Sequence, residues 1–513
     1  MNRPAEEIAT GTPDAYDNST NTLLDDGYLD SSLEESPMQD RTWPLIQTGH
    51  GDLINYNTLV DSQEGGQAAN SPLSPSWKEV MTAKKVPEGS TKASIFNLTS
   101  TIIGGGVLSI PYAFACTGLA VGVIMLLVMS SASAYSAYLL LSCARRCGGK
   151  NYEDIAVFIY GRTGGTFVNF LVFLLVYLAC IGYIVLMGDL LTQLIPPIFP
   201  SDEWLNRVAM MGSCVVVIYP VTLLRNISAL RITSFVSVIA IMFLAGAIID
   251  KSIRINENFV PANATSHHGS GSHKFLPVED PCLAKATSRF QCIKWVRFDF
   301  DFLLAIPILS CSFMCHFNVL PVHLELRRPT RQRMKKVIYW TMGLAAFLYL
   351  LVATAGYLSF FQMLLGKNGG NVLNLYSKGD FVIIMGRAGL VMTLLLSFPL
   401  LTHPCRATIE VLFFDKFWSP SNCRSIFIST LISVTSYLIA IFVPSITVVW
   451  TLTGSTDAIV VAYVLPALFY LKLTKGSICN RRKLPAAFLF VAGVALSIVC
   501  TYASVMNVIK MKH

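Results

Sequence analysis

The chain has 513 residues, of which 53% are hydrophobic and only 14% charged, with a formal net charge of +8. A soluble globular domain carries roughly 25% charged residues, so this composition excludes an ordinary soluble enzyme. The positive excess is spread through short loops rather than gathered in a basic domain, which argues against nucleic acid as a partner.

Residues 1–90 are rich in Asp, Glu, Ser, Asn and Pro and contain no apolar signal core. They read as a disordered cytosolic tail without a cleavable leader. Ser36, Ser71 and Ser74 each precede a proline as candidate phosphosites, and "YNTL", Tyr56 to Leu59, fits a tyrosine-type sorting pattern. A membrane domain follows over 91–508, and 509–513 is a short carboxy-terminal tail.

Crossing a bilayer core takes about 20 apolar residues. Eleven stretches qualify: 93–117, 119–144, 166–195, 206–224, 232–250, 300–322, 337–363, 380–404, 425–443, 446–471 and 484–508. With the amino terminus cytosolic, the short inner loops (145–162, 225–231, 325–336, 405–424 and 472–483) carry 20 Lys and Arg, and the short outer ones two. This asymmetry sets the expected orientation.

The first span holds "STIIGGGVLSIPYAF", Ser100 to Phe114. Glycine costs about 1 kcal/mol and proline about 3 in a helix interior. Gly104, Gly105 and Gly106 ahead of Pro111 therefore predict a broken helix, although tight packing through small residues uses the same residue types. A break exposes free N–H groups at the start of its second half, suited to a carboxylate. Ser100, Thr101 and Ser109 add hydroxyls.

Loop 251–299 is expected on the exoplasmic face. It contains the glycosylation acceptor "NAT" at Asn263, and Cys282 and Cys292. In an oxidising compartment these pair as a disulfide; otherwise they are two free thiols.

The sixth span opens its core with "IPILSCSFMCHFNVLPVHLE", 306–325. Pro307 and Pro321 bracket Ser310, Ser312, His316 and Asn318, predicting a second break. Two breaks five spans apart fit a pair of inverted five-helix repeats, with the eleventh span added outside them.

Ionisable side chains at membrane depth are functional candidates. His316 either titrates beside the second break or shapes it by a fixed hydrogen bond. Asp189, near the outer end of span three, reads as a solvated acid rather than a proton site. Asp457, after "TGST" in span ten, either faces the bundle or caps. Arg387 pairs with an acid or snorkels outward, and His403 and Arg406 anchor the cytosolic interface.

Four stretches carry a family resemblance: "IFNLTSTIIGGGVLSIPYAFACTGL", "FMCHFNVLPVHLEL", "GRAGLVMTLLLSFPLLTHPCR" and "LTGSTDAIVVAYVLPALFYLKL". There the sequence resembles the amino acid/auxin permease family, nearest to sodium-coupled neutral amino acid transporters and vacuolar amino acid transporters. The resemblance implies an all-α LeuT-type 5+5 fold. It also implies an amino acid substrate held by Ser100, Thr101 and Gly104 to Gly106 of the first break and Ser310, Phe313 and His316 of the second. Sodium-coupled members have Asn and Thr where this chain has Ser100 and Ser397. The coupling ion is accordingly a proton or sodium, with Ser100, Ser397 and His316 as candidates, and no other metal or cofactor is expected.

Two function classes follow. One is a secondary active transporter of neutral amino acids in the plasma, vacuolar or lysosomal membrane. The other is a sensor of the same fold signalling through the tail. A channel lacks a filter or pore charges, and an enzyme lacks a nucleophile–base pair or metal cluster. The sequence leaves the oligomeric state open.

Overall fold

The computed structural model describes residues 46–47, 53–54, 89–223, 230–257, 282, 288–327, 329–366, 369–413, 422–476 and 480–512. Asn263, Ser36, Ser71, Ser74, Tyr56 and nearly all of the tail lie outside the described residues. Of residues 1–88, only a short antiparallel pairing of Ile46–Gln47 with Leu53–Ile54 is described.

Among the described residues, ten helical spans are long and apolar enough to cross a membrane, and one bent pair taken as a single span makes an eleventh. Span one comprises Thr91–Ile102, a 3-10 turn at Gly105–Ser109, and Ile110–Thr117. Spans two to five are Leu119–Cys147, Tyr152–Leu194, Glu203–Thr222 and Leu230–Glu257. Span six comprises Phe302–Ser312 and His316–Glu325. Spans seven to nine are Arg331–Phe360, Phe381–Phe413 and Asn422–Phe442. Span ten is Ile446–Leu473 and span eleven Leu484–Lys512. The expected all-α membrane architecture, with spans one and six discontinuous, is the observed one.

Apolar residues all round these helices reflect two different surroundings. In the most apolar window of span six 78% of residues are buried, against 17% in span eleven. Span six is the centre of the bundle. Its first half packs on the second half of span one and on spans ten and eleven. Span eleven presents most of its surface outward, as a helix added at the periphery does.

Span three departs from expectation. Its helix begins at Tyr152, well before the expected 166, and runs 43 residues. At 1.5 Å per residue that is about twice the length a bilayer core needs. The explanation is local. Asn151 and Asp154 form a capping box that starts the helix early, and Gly161 breaks it with φ 74° and ψ −173°. The positive φ is one that glycine adopts without strain. Residues 152–160 are thus a separate helical segment ahead of the span.

The described part of loop 251–299 is stitched to the turn between spans one and two. Leu119 N donates to Lys294 O, Ala120 N to Trp295 O, and Arg297 N to Thr117 O, at 2.8–3.0 Å. Gly118 turns there with φ 82°, and a Cβ on it would lie 2.8 Å from the Trp295 carbonyl. Cys282 and Cys292 form a disulfide, the paired alternative of the two expected.

At the other end of span one, Gly89 and Leu326 form an isolated parallel bridge. Gly89 N donates to Glu325 O, and Arg327 N to Gly89 O, both at 3.0 Å. The segment entering span one is therefore paired with the segment leaving span six.

Candidate functional site: two facing breaks

In span one the regular helix stops at Ile102, and the following Gly105–Thr117 segment is turned by 48°. Helix ends leave carbonyls and N–H groups without intrahelical partners, and inside a membrane these need protein partners. Ile103 N and Gly104 N fold back on Thr99 O and Ile102 O at 2.9 Å. In span six the helix stops at Ser312 and restarts at His316. Phe313 N there bonds to Leu309 O at 3.1 Å.

The two breaks face each other. A Cβ placed on Gly106 would lie 2.8 Å from Ser312 Oγ and 3.3 Å from its Cα. Only glycine allows that approach. Tyr349, fully buried in span seven, joins them: its hydroxyl lies 2.7 Å from Ile102 O and 3.0 Å from Ser312 O. One proton is thus shared between the carbonyl that ends span one's first half and the carbonyl that ends span six's. Phe313 meets Tyr349 edge to face, ring centroids 5.3 Å apart.

The remaining wall is aromatic and aliphatic. A Cβ on Gly104 would sit 3.0 Å from the Tyr183 hydroxyl of span three. One on Gly105 would sit 2.8 Å from Leu186 Cδ2 and 3.3 Å from Trp450 of span ten. The glycines therefore do both things the sequence allowed: they sit at a broken helix, and they pack closely. No charged side chain takes part in these contacts.

The predicted hydroxyls separate into groups. Ser100 and Thr101 both donate to Asn97 O, at 2.7 and 3.1 Å. Thr101 also accepts from Asn318 Nδ2 of span six at 3.0 Å, so it links the first half of span one to the second half of span six. Ser310 and Ser312 donate to Ile306 O and Ile308 O within their own helix. Ser109 donates to Gly370 O at 2.9 Å, which ties the second half of span one to the loop between spans seven and eight. Ser397 is half-buried in span eight.

His316 is fully buried, and neither ring nitrogen has a hydrogen-bond partner. Its ring meets Tyr463 of span ten edge to face at 6.4 Å. Tyr463 hydroxyl in turn lies 2.8 Å from Ser133 Oγ of span two.

Two other ionisable residues differ from their sequence readings. Asp189 is not a free solvated acid but accepts from Arg207 Nε at 2.9 Å. The same guanidinium donates to Val443 O, fastening span four to the end of span nine. Arg387 neither snorkels nor forms an ion pair with an acid. It is fully buried, and its Nη2 donates to Leu373 O and Tyr376 O at 2.7 and 3.1 Å, closing carbonyls at the end of a short 3-10 turn. Near the end of span eight, Arg406 Nη2 lies 3.2 Å from His403 and Nη1 3.4 Å from Ser429 Oγ.

Sequence reasoning missed Tyr349, Tyr183 and Trp450. Each lies in a long apolar segment where an aromatic residue carries no positional signal. It also missed that span ten is irregular: Gly454–Ala458 and Val460–Val464 form π-helical turns.

A family model described as "Transmembrane amino acid transporter protein" matches residues 87–506. A solved structure of a Na+-coupled sialic acid symporter, in a substrate-bound outward-open state, aligns with a TM-score of 0.46 at 13% identity. The alignment covers 83% of this chain and 90% of that one.

Proposed function

The chain belongs to the transmembrane amino acid transporter family, and on that premise we propose that it is a secondary active transporter of neutral amino acids. The observation that carries this reading is the meeting of the two breaks, with Gly106 against Ser312 and the Tyr349 hydroxyl shared between Ile102 O and Ser312 O. Unwound backbone near mid-membrane offers N–H groups to a carboxylate and carbonyls to an ammonium. Those are the two charged groups every free amino acid carries. The break's contacts with Tyr183, Leu186 and Trp450 are uncharged, which supports a substrate with no side-chain charge.

The substrate backbone would sit between Gly104 to Gly106 and the Ser310, Phe313 and His316 segment. Its arrival displaces side chains that now close on the glycines, and span one's first half tilts against span six. Alternating access then opens the breaks first to one face and later to the other. The coupling ion in this reading is a proton. A sodium site needs several oxygens in one shell, and Ser100 stands where sodium-coupled members carry an asparagine amide oxygen.

The deciding experiment is uptake of individual labelled amino acids into proteoliposomes holding the full chain, with proton and sodium gradients imposed separately. Accumulation of neutral amino acids under a proton gradient supports the proposal. Binding without accumulation favours a sensor, and accumulation that needs sodium and ignores pH moves the coupling to sodium. The proposed topology, with loop 251–299 exoplasmic, is tested by glycosidase treatment in cells: the wild-type band shifts, and the Asn263→Gln band does not.

A further inference from the structure

Span ten touches both breaks. Trp450 lies against Gly105 of span one, and Tyr463 lies against His316 of span six. Between them, seven residues after Trp450 and six before Tyr463, stands Asp457. It is 0% exposed, and neither carboxylate oxygen has a hydrogen-bond partner.

Its setting is built rather than accidental. Gly454 packs so closely on span six that a Cβ there would lie 2.2 Å from Pro307 O. The chain widens into π-turns at Gly454–Ala458 and Val460–Val464, a form that occurs mostly as short interruptions at functional sites. The backbone of this region is served from span eleven: Ser497 Oγ donates to Ser455 O at 2.7 Å and Ser504 Oγ to Thr451 O at 3.2 Å. The widened turn is satisfied and its carboxyl group is not.

An ionised carboxylate buried without a partner is so unfavourable that the group neutralises instead. The groups that bear on it do not offer a counter-charge. Cys311 on span six is in electrostatic contact with Asp457, and it is a thiol. The packed elements also carry Tyr177, Cys180 and Tyr183 on span three, Cys500 and Tyr502 on span eleven and Tyr463 within span ten, all neutral when protonated, while Asp189 on span three is paired with Arg207. Lys510, near the end of span eleven, lies instead over the Phe300 ring at 4.8 Å. His316 lies on the second half of span six, its ring against Tyr463.

We propose that Asp457 is the proton-binding group of this transporter, neutral in the conformation described here and ionised when span six moves off Gly454. This rests on the transport reading above and deepens it. When the site opens toward the proton-rich side, a carboxylate oxygen takes a proton from water, and the closed packing accepts the neutral acid. When the site opens to the other side, the O–H gives the same proton to water there. One proton crosses per cycle with the substrate. The empty carrier returns with Asp457 ionised and span six still off Gly454, so the delivered proton is not carried back.

The first test uses infrared titration of the purified full chain in detergent. A protonated-carboxyl band present at neutral pH is expected to vanish in Asp457→Asn and to shift in Asp457→Glu. A band spectrum that Asp457→Asn leaves unchanged at every pH overturns the proposal.

The second uses proteoliposomes with labelled alanine, leucine and glutamine. In Asp457→Asn, accumulation under a proton gradient is expected to fall at least tenfold, while substrate exchange survives at reduced rate and no longer responds to pH. Asp457→Glu is expected to restore accumulation with a displaced pH profile, and His316→Gln to lower uptake but keep its pH dependence. Asp457→Asn protein that accumulates substrate like wild type overturns the assignment. So does loss of exchange in both Asp457 variants, which marks a packing role, or pH dependence lost in His316→Gln and kept in Asp457→Asn. Should wild type accumulate none of the three amino acids, the transport reading fails, while the infrared titration still decides whether Asp457 binds the proton.

Discussion

The two breaks reach a similar geometry by different chemistry. Span one is interrupted by three glycines, and its neighbours come within contact distance of the bare backbone: Tyr183 at Gly104, Leu186 at Gly105 and Ser312 at Gly106. Span six is interrupted at Phe313, Met314 and Cys315, none of them a glycine. Its break is held instead by tertiary contacts: the Tyr349 hydroxyl on Ser312 O, the ring of Tyr349 against Phe313, and Pro307 fixed under Gly454. One break is permitted by what its residues lack, the other imposed by what surrounds it. The two should therefore respond differently to substitution.

The largest effect is expected on the glycine side. Gly106→Ala puts a methyl group 2.8 Å from Ser312 Oγ and 3.3 Å from its Cα, so the breaks must separate. Overpacking costs about 1–3 kcal/mol, and uptake should fall by roughly 5- to 150-fold if that energy falls on the transport-competent state. Uptake assays normalised to membrane-inserted protein check this; wild-type rates would mean that the breaks need not touch.

Tyr349→Phe attacks the imposed break. It removes the hydroxyl shared by two buried carbonyls, and an unsatisfied buried polar group costs about 1–3 kcal/mol. A lower melting temperature of the purified chain is the expected result, with insertion unchanged. An unaltered melt would mean that span six holds its break without Tyr349.

Asn318→Ala is the mildest. It deletes a partly buried hydrogen bond to Thr101, worth about 1 kcal/mol, and leaves both breaks in place. A small fall in melting temperature with uptake within a few-fold of wild type is expected. If uptake instead collapses, the link between span one's first half and span six's second half matters more than either break alone.

The architecture was largely legible because bilayer crossing is a length-and-hydropathy requirement, readable one segment at a time. The breaks were legible where residue type departs from helix propensity: Gly104 to Gly106 and Pro111 in span one, Pro307 and Pro321 in span six. The partners of the breaks were not. Tyr349 and Trp450 matter because of which face of which helix reaches the centre, and a span apolar all round carries no periodicity to say so. Arg387 looked like half of an ion pair because a lone buried charge suggests a counter-charge. Main-chain carbonyls of a neighbouring turn serve it instead, and no side-chain pattern announces those. The early start of span three was hidden by reading hydropathy alone, since Asn151, Asp154 and Gly161 act through backbone geometry.

The pairing of Gly89 with Leu326 has a mechanical consequence. Together with Thr101 and Asn318, it binds the first half of span one to the second half of span six at two heights. Both half-helices end at a break, so the joined pair is shaped as a rocker with its pivots at the breaks and its outer described end at residue 89. Torque applied to the amino-terminal segment is delivered to the pivots with the leverage of a helix about 18 Å long. Whatever grips the residues before Gly89 therefore holds the rocker itself.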